Sequence, residues 1–296
     1  MSLDYAIFDV FTRQPLSGNP LAVVFGADGL NTRQLLSLAR EFNLSETVFI
    51  QTPTQADARA RLRIFTPARE LPFAGHPILG AACAVSGDTR TPQTLPLQLG
   101  ASTLPVHVEP RENALFYAQM SATQAPTFAD GAPDRTTLAA LLGLDPDDLH
   151  SEHESARFAS CGLPYLLVPV RTPEILSSIT LDIAACREQL GSQWAQALYV
   201  YCRGYEGELR ARMFAPLLGV IEDPATGSAA LALGAALARE SKMLNGTLNW
   251  TIQQGLELSR PSELQVRAER RDGATVALHL GGHVVPIARG QLLQPN

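Results

Sequence analysis

The chain has 296 residues, 46% hydrophobic and 18% charged, enough length for two domains and enough apolar content for buried cores, which excludes a disordered chain. The net charge of −6 supplies no basic field, so nucleic acid and an anionic membrane surface are not expected as partners. Of the 23 cationic side chains only Lys242 is a lysine, set in the polar run Glu240-Ser241-Lys242, which leaves pyridoxal and amine-nucleophile chemistry without its residue.

Cys83, Cys161, Cys186 and Cys202 show no C-x-x-C spacing, so neither a zinc ribbon nor a disulfide framework is expected, and they read as reduced thiols. The first residues lack a basic leader, and the longest apolar run, Ala229 to Ala238, is too short to span a bilayer. A soluble cytoplasmic protein is expected.

Tyr5 to Phe11 and Leu21 to Phe25 are short β-branched and aromatic runs separated by TRQPLSGNP, a strand-loop-strand unit. Leu35, Leu36, Ala39 and Phe42 fall at helical spacing and predict an amphipathic helix over residues 32 to 42. Glu46 to Gln51 and Arg61 to Phe65 read as strands. The turn-rich TPARELPFAGHP then enters the small-residue helix ILGAACAV. The polar segment Ser121 to Thr137 is the best boundary. Beyond it come a helix around Thr137 to Leu142, strands near Tyr165 to Val170, Ala197 to Tyr201 and Leu209 to Phe214, the turn EDPATGSA and the helix AALALGAALA.

The two halves share a grammar. Ala74-Gly75-His76 opens a helix containing Gly80-Ala81-Ala82, and Thr226-Gly227-Ser228 opens one containing Gly234-Ala235-Ala236, with Gly75 and Gly227 152 positions apart. Duplication explains the pattern; so does coincidence in an alanine-rich chain, given the two extra residues in the second copy. Each helix start presents free backbone N–H groups at the positive end of the dipole, a cradle for a carboxylate. Two such ends meeting across a crevice would hold one small anion.

Several side chains join these turns. His76 sits in a first helical turn, where the dipole favours a neutral ring. Asp223 and Ser228 flank Gly227, although capping and turn roles explain each equally well. Glu46 starts a strand with the apolar neighbours Val48, Phe49 and Ile50, where burial suits a general acid or base. His150 and His153 are three apart, but their acidic, polar surroundings favour a solvated loop over a metal site. GxxxxGK[ST], GxGxxG after a strand and GxSxG are all missing from the sequence, so nucleotide and serine-hydrolase mechanisms lack their minimal parts.

The phrases FDVFTRQPLSGNPLAVVF, NLSETVFI, FTPARELPFAGHPILGAA, DPATGSAAL and QGLELSRPSEL, spread in order from Phe8 to Leu264, resemble the phenazine-biosynthesis PhzF-like isomerase family. The resemblance implies a diaminopimelate-epimerase-like α/β (α+β) fold: two similar domains, each a curved, mostly antiparallel sheet around a central helix. It implies a first domain of residues 1–118 with the returning segment 281–296, and a second of residues 119–280. His283 to Ile287 would return to the first domain. It also implies a homodimer, a small anionic substrate, and no cofactor or metal. The paired catalytic cysteines of the related epimerases match Ala74 and Thr226 here, which removes a two-thiol mechanism. The glutamate, histidine, aspartate and serine of PhzF-like members match Glu46, His76, Asp223 and Ser228. The implied reaction is the isomerisation of trans-2,3-dihydro-3-hydroxyanthranilate or a similar acid, with Glu46 moving a proton between carbons. Backbone at Gly75 and Gly227 would hold the carboxylate, and Thr226 and Asn19 would border the substrate. The rival readings are an epimerase or racemase of the same fold and a non-catalytic binding protein.

Overall fold

A computed structural model of the protein describes residues 2–87, 90–149 and 155–293. The chain divides into two compact units, residues 1–121 with 280–296, and residues 122–279.

The first unit contains β1 (Ser2–Val10), β2 (Asn19–Val24), α1 (Thr32–Phe42), β3 (Glu46–Gln51), β4 (Ala60–Phe65), β5 (Glu70–Leu71), α2 (Gly75–Ser86), β6 (Gln93–Leu99), β7 (Ser102–Pro110) and β8 (Phe116–Ser121). Helix α1 occupies the predicted span because both ends are specified locally. Asn31 and Gln34 form a reciprocal capping box, and Asn43 stops the helix in the left-handed conformation at φ 50°. The strands follow one another around a ring. β1 pairs with β2, β2 runs parallel to β3, β3 pairs with β4, β4 runs parallel to β6, and β6 to β8 form a meander. The C-terminal strand of the chain pairs with β8 and, from Val284 to Leu293, with β1, so the ring closes and leaves no open edge among its members.

Helix α2 is enclosed by this ring. It touches β1, β2, β3, β4, β6, β7 and β8, and Gly75 through Cys83 are all buried. A helix surrounded on all sides has no polar face to keep, hence the run ILGAACAV. Small residues let the strands approach: a Cβ on Gly80 would meet the buried Leu21 side chain at 2.4 Å.

The second unit contains β9 (Thr127–Ala129), α3 (Arg135–Leu142), β10 (Arg157–Ser160), β11 (Pro164–Pro169), α4 (Pro173–Ser178), α5 (Ile183–Leu190), β12 (Leu198–Arg203), β13 (Leu209–Ala215), β14 (Val220–Asp223), α6 (Gly227–Glu240), β15 (Gly246–Gln254), β16 (Ser262–Arg271) and the start of β17 (Ala274–Leu293), the strand whose later part serves the first unit. β9 to β13 form one sheet, with β11 parallel to β12 and the other neighbours antiparallel; β15 joins β13 in parallel and pairs with β16. Helix α6 packs on β10, β11, β15 and β16, and a Cβ on Gly234 would meet Val266 at 2.4 Å. The opposite face is covered by α3, α4 and α5, whose Leu138, Leu142, Leu176, Cys186 and Leu190 join Phe158, Leu198 and Phe214 in a second core.

Each unit is therefore a curved, mostly antiparallel sheet around a small-residue helix, the architecture expected. The ladders also align the two. β4 runs parallel to β6 from Ala60↔Leu97 to Leu62↔Leu99, and β13 runs parallel to β15 from Leu209↔Ile252 to Ala211↔Gln254. The β3–β4 pair Thr47↔Phe65 then matches Leu198↔Phe214, and Ile64↔Leu71 matches Met213↔Asp223. From Leu71 and Asp223 onward the halves stay in step without insertion: Pro72 with Pro224, Ala74 with Thr226, Gly75 with Gly227, His76 with Ser228. Coincidence of composition does not produce matched ladders, so the repeat is a duplicated topology.

Candidate active site

In the first unit, β3 begins at Glu46 and α2 begins at Gly75. Ala74 caps α2 with extended backbone and no side-chain hydrogen bond, and Pro77 has no N–H, so Gly75 and His76 supply the free amides of this helix start. His76 Nε2 lies 3.4 Å from Glu46 Oε2, in contact but without hydrogen-bond alignment. The two side chains are 5% and 17% exposed respectively. Burial pushes the His76 pKa from 6.5 down to about 3, so the ring is neutral and the contact is not an ion pair. A carboxyl group of a largely buried side chain beside a neutral imidazole places a group able to carry a proton next to one that takes or gives a hydrogen bond without changing charge. Asn19, fully buried, opens β2 opposite Val10.

The buried neutral histidine has a measurable consequence. Between pH 6.5 and about 3 the unfolded chain binds a proton at His76 that the folded chain refuses. Stability present above that window is lost as pH falls through it, by about 1.4 kcal/mol per pH unit. Urea unfolding of the wild type and of His76→Asn should show the stability difference between them shifting against the wild type by about 2 kcal/mol from pH 7.5 to pH 5. A difference independent of pH would rule out a buried neutral ring.

In the second unit, Asp223 ends β14 and Thr226 caps α6. Asp223, Thr226 and Ser228 are all buried. The Thr226 hydroxyl donates to Asp223 Oδ2, Ser228 Oγ lies 2.7 Å from the Tyr165 hydroxyl, and Thr226 N–H donates to Gln254 Oε1 at 3.2 Å. The amides of Gly227, Ser228 and Ala229 precede the first intrahelical bond, from Ala230 N–H to Thr226 C=O, and point out of the helix start.

The duplicated register shows how the halves diverged. The position matching Glu46 is the buried Ala197, and the positions matching Asp223 and Thr226 are Leu71 and Ala74. One unit thus carries Glu46 and His76 in contact; the other carries Asp223, Thr226 and Ser228 in a hydroxyl and amide network. Three members of that network, Tyr165, Tyr199 and Gln254, escape sequence reasoning because they lie on strands distant in the chain and resemble ordinary strand residues. Only the phrase QGLELSRPSEL, which begins at Gln254, carried a signal for one of them.

The four cysteines are free and buried; burial pushes the Cys161 and Cys202 thiols up to about 12, which makes them unreactive. Among the described residues, no three His, Cys, Asp or Glu side chains converge as a metal site, and no helix is long and apolar enough to cross a membrane. His150 and His153 lie outside the described residues.

Comparison with known proteins places these features. The family model of phenazine biosynthesis-like (PhzC-PhzF) proteins matches residues 8–290. The chain is 38% identical to an uncharacterized isomerase of Mesorhizobium japonicum, with 98% of each protein covered. It is 37% identical to the trans-2,3-dihydro-3-hydroxyanthranilate isomerase of Pseudomonas chlororaphis, covering 98% of this chain and 99% of that one. A solved Bacillus anthracis phenazine biosynthesis protein of the PhzF family superposes with a TM-score of 0.88 at 25% identity, covering 99% of this chain and 100% of that chain. Matched over nearly its whole length in sequence and in fold, the chain belongs to the phenazine biosynthesis-like (PhzC-PhzF) family and is an isomerase.

Proposed function

We propose that this isomerase works without a cofactor, moving a proton between two carbons of a small cyclic carboxylate of the trans-2,3-dihydro-3-hydroxyanthranilate kind. The observation that carries the reading is the Glu46–His76 pair, 3.4 Å apart with the ring neutral, in a chain whose matching position in the second unit is Ala197. Inverting a stereocentre by a two-base route needs a proton-transfer group on each face of the carbon; shifting a double bond needs one base that takes a proton from one carbon and returns it to another. A single acid–base glutamate suits the second task.

Glu46 takes the proton, and His76 orients the substrate and stabilises the charge that develops as the C–H bond breaks. The helix-start amides at Gly75 and at Gly227 are each suited to an anionic substrate group, as oxyanion donors are. Asp223, Ser228, Thr226 and Asn19 position the remaining polar groups. The free cysteines suit a cytoplasmic protein, and the family resemblance supports a homodimer.

Turnover of trans-2,3-dihydro-3-hydroxyanthranilate in D₂O tests the reading. The expected product is an isomer of unchanged mass, apart from deuterium, with a shifted double bond. Deuterium entering one stereocentre with the double bonds in place would mean epimerisation. Tight binding by calorimetry without conversion of this or related cyclic acids would mean a binding protein.

A further inference from the structure

Gln254 ends β15 with its side chain 1% exposed and all four hydrogen-bonding positions used. Its Oε1 accepts from the Thr226 N–H at 3.2 Å and from the Tyr199 hydroxyl at 3.1 Å. Its Nε2 donates to the Asp223 carbonyl at 2.7 Å and to the Thr226 hydroxyl oxygen at 3.2 Å. Two of these partners cannot change role: a backbone N–H only donates and a backbone C=O only accepts. Together they fix which end of the amide faces which neighbour. With Nε2 donating to Thr226 Oγ1, the single proton of that hydroxyl is left for Asp223 Oδ2, where the bond is found.

The turn itself does not need this chain of donors. In the first unit the same strand-to-helix turn forms with Leu71, Ala74 and Leu99 at the positions of Asp223, Thr226 and Gln254. The relay is therefore an addition to the duplicated fold, placed where one half carries a carboxylate.

We propose that Gln254 is a positioning residue that, through Thr226, holds Asp223 as a hydrogen-bond-accepting carboxylate and keeps it from acting as a proton-donating acid. The assignment rests on the reading above for its catalytic meaning, although not for its physical content. Within the reaction, Asp223 then orients a donor group of the substrate, and Glu46 is left as the group that carries the proton.

Among the described residues, the Tyr199 phenol on β12 interacts with Asp223 and with the Tyr165 phenol on β11, and Glu222, next to Asp223 on β14, is bound by Arg212 of β13. Burial, with the neighbouring charges of Tyr165 and Asp223, pushes the Tyr199 phenol far above its ordinary range. It stays protonated, so its hydroxyl remains a donor to Gln254.

The test is a ¹³C NMR titration of the full chain labelled at the aspartate carboxyl carbons, with the Asp223 resonance identified by its loss in Asp223→Asn. Removing a donor to the ionised form raises the midpoint. Thr226→Val and Gln254→Leu should each raise it by about one pH unit, while Thr226→Ser, which keeps the hydroxyl, should stay near the wild type. Midpoints unmoved in both Thr226→Val and Gln254→Leu, or Thr226→Ser displaced as far as Thr226→Val, would overturn the assignment. If Gln254→Leu does not fold, the Val and Ser pair at position 226 decides alone. A midpoint shift in a protein that fails to isomerise any cyclic acid would leave the relay standing and sink the proposed reaction. A parallel move of the acidic limb of the kcat/KM profile supports both.

Discussion

Glu46→Gln should lower kcat on trans-2,3-dihydro-3-hydroxyanthranilate by about 10²–10⁴, the range contributed by a positioned acid–base group, and change KM far less. The substitution keeps the shape and hydrogen-bonding length of the side chain but removes the group that accepts and returns a proton. Glu46 and His76 are in contact, so their effects should not add: His76→Gln combined with Glu46→Gln is expected to cost little more than Glu46→Gln alone. Steady-state kinetics of the three variants checks this. A Glu46→Gln enzyme within about threefold of wild-type kcat would sit outside the range for a catalytic acid or base and would remove Glu46 from the mechanism. A large rise in KM at constant kcat would instead make it a binding residue.

The largest stability effect is expected at Arg212. The residue is buried at 7% exposure, and its guanidinium grips Glu222 with two bonds, Nε to Oε1 at 2.8 Å and Nη2 to Oε2 at 2.9 Å. Nη1 donates to the carbonyls of Leu176 at 3.1 Å and Ile179 at 3.2 Å, at the C-terminal end of α4. One side chain thus satisfies a carboxylate, closes a helix end, and lies over the Phe214 ring at 4.8 Å. Arg212→Met would leave the nearly buried Glu222 carboxylate without its bidentate partner and remove a donor from the carbonyls at the end of α4, at a cost of about 3–5 kcal/mol. Glu222→Leu added to Arg212→Met removes the stranded charge and should recover part of that loss, because replacing both partners is milder than breaking the pair. Denaturant titration of the two variants measures both values. If Arg212→Met costs under about 1 kcal/mol, the range for an exposed pair, or if the second substitution recovers nothing, the buried-pair account fails. Because Glu222 precedes Asp223 on β14, Arg212→Met should also weaken turnover in the fraction that remains folded.

Much of the fold was legible in the amino-acid order. Helix α1 matches its predicted span because its signals lie within it: the capping pair Asn31 and Gln34, the helical spacing of Leu35, Ala39 and Phe42, and Asn43 at the stop. β3 spans Glu46–Gln51, as its β-branched and aromatic content implied. Helices α2 and α6 extend a little further toward their N-termini than their apolar cores suggested, since Gly75 and Gly227 open them. The candidate residues Glu46, His76, Asp223 and Ser228 came from turn chemistry and from family resemblance. Their environments did not, because burial and bonding depend on strands far away in the chain. The neutral state of His76 follows from enclosure by the strand ring, a property no local window contains. Gln254 reaches Thr226 and Asp223 across roughly thirty residues through the β13–β15 pairing.

The sequence alone determined the acidic, lysine-poor chemistry, the two small-residue helices with their glycine starts, and the family. These are matters of composition, short-range periodicity and residue identity, which act within a few residues. Only the tertiary structure decided that the halves share one ladder register, that Glu46 is matched by Ala197, and that Asp223 sits at the end of a chain of donors running from Tyr199. Pairing register is set by long-range hydrogen bonds and by which faces can be buried together, and those terms have no value until the chain has closed on itself.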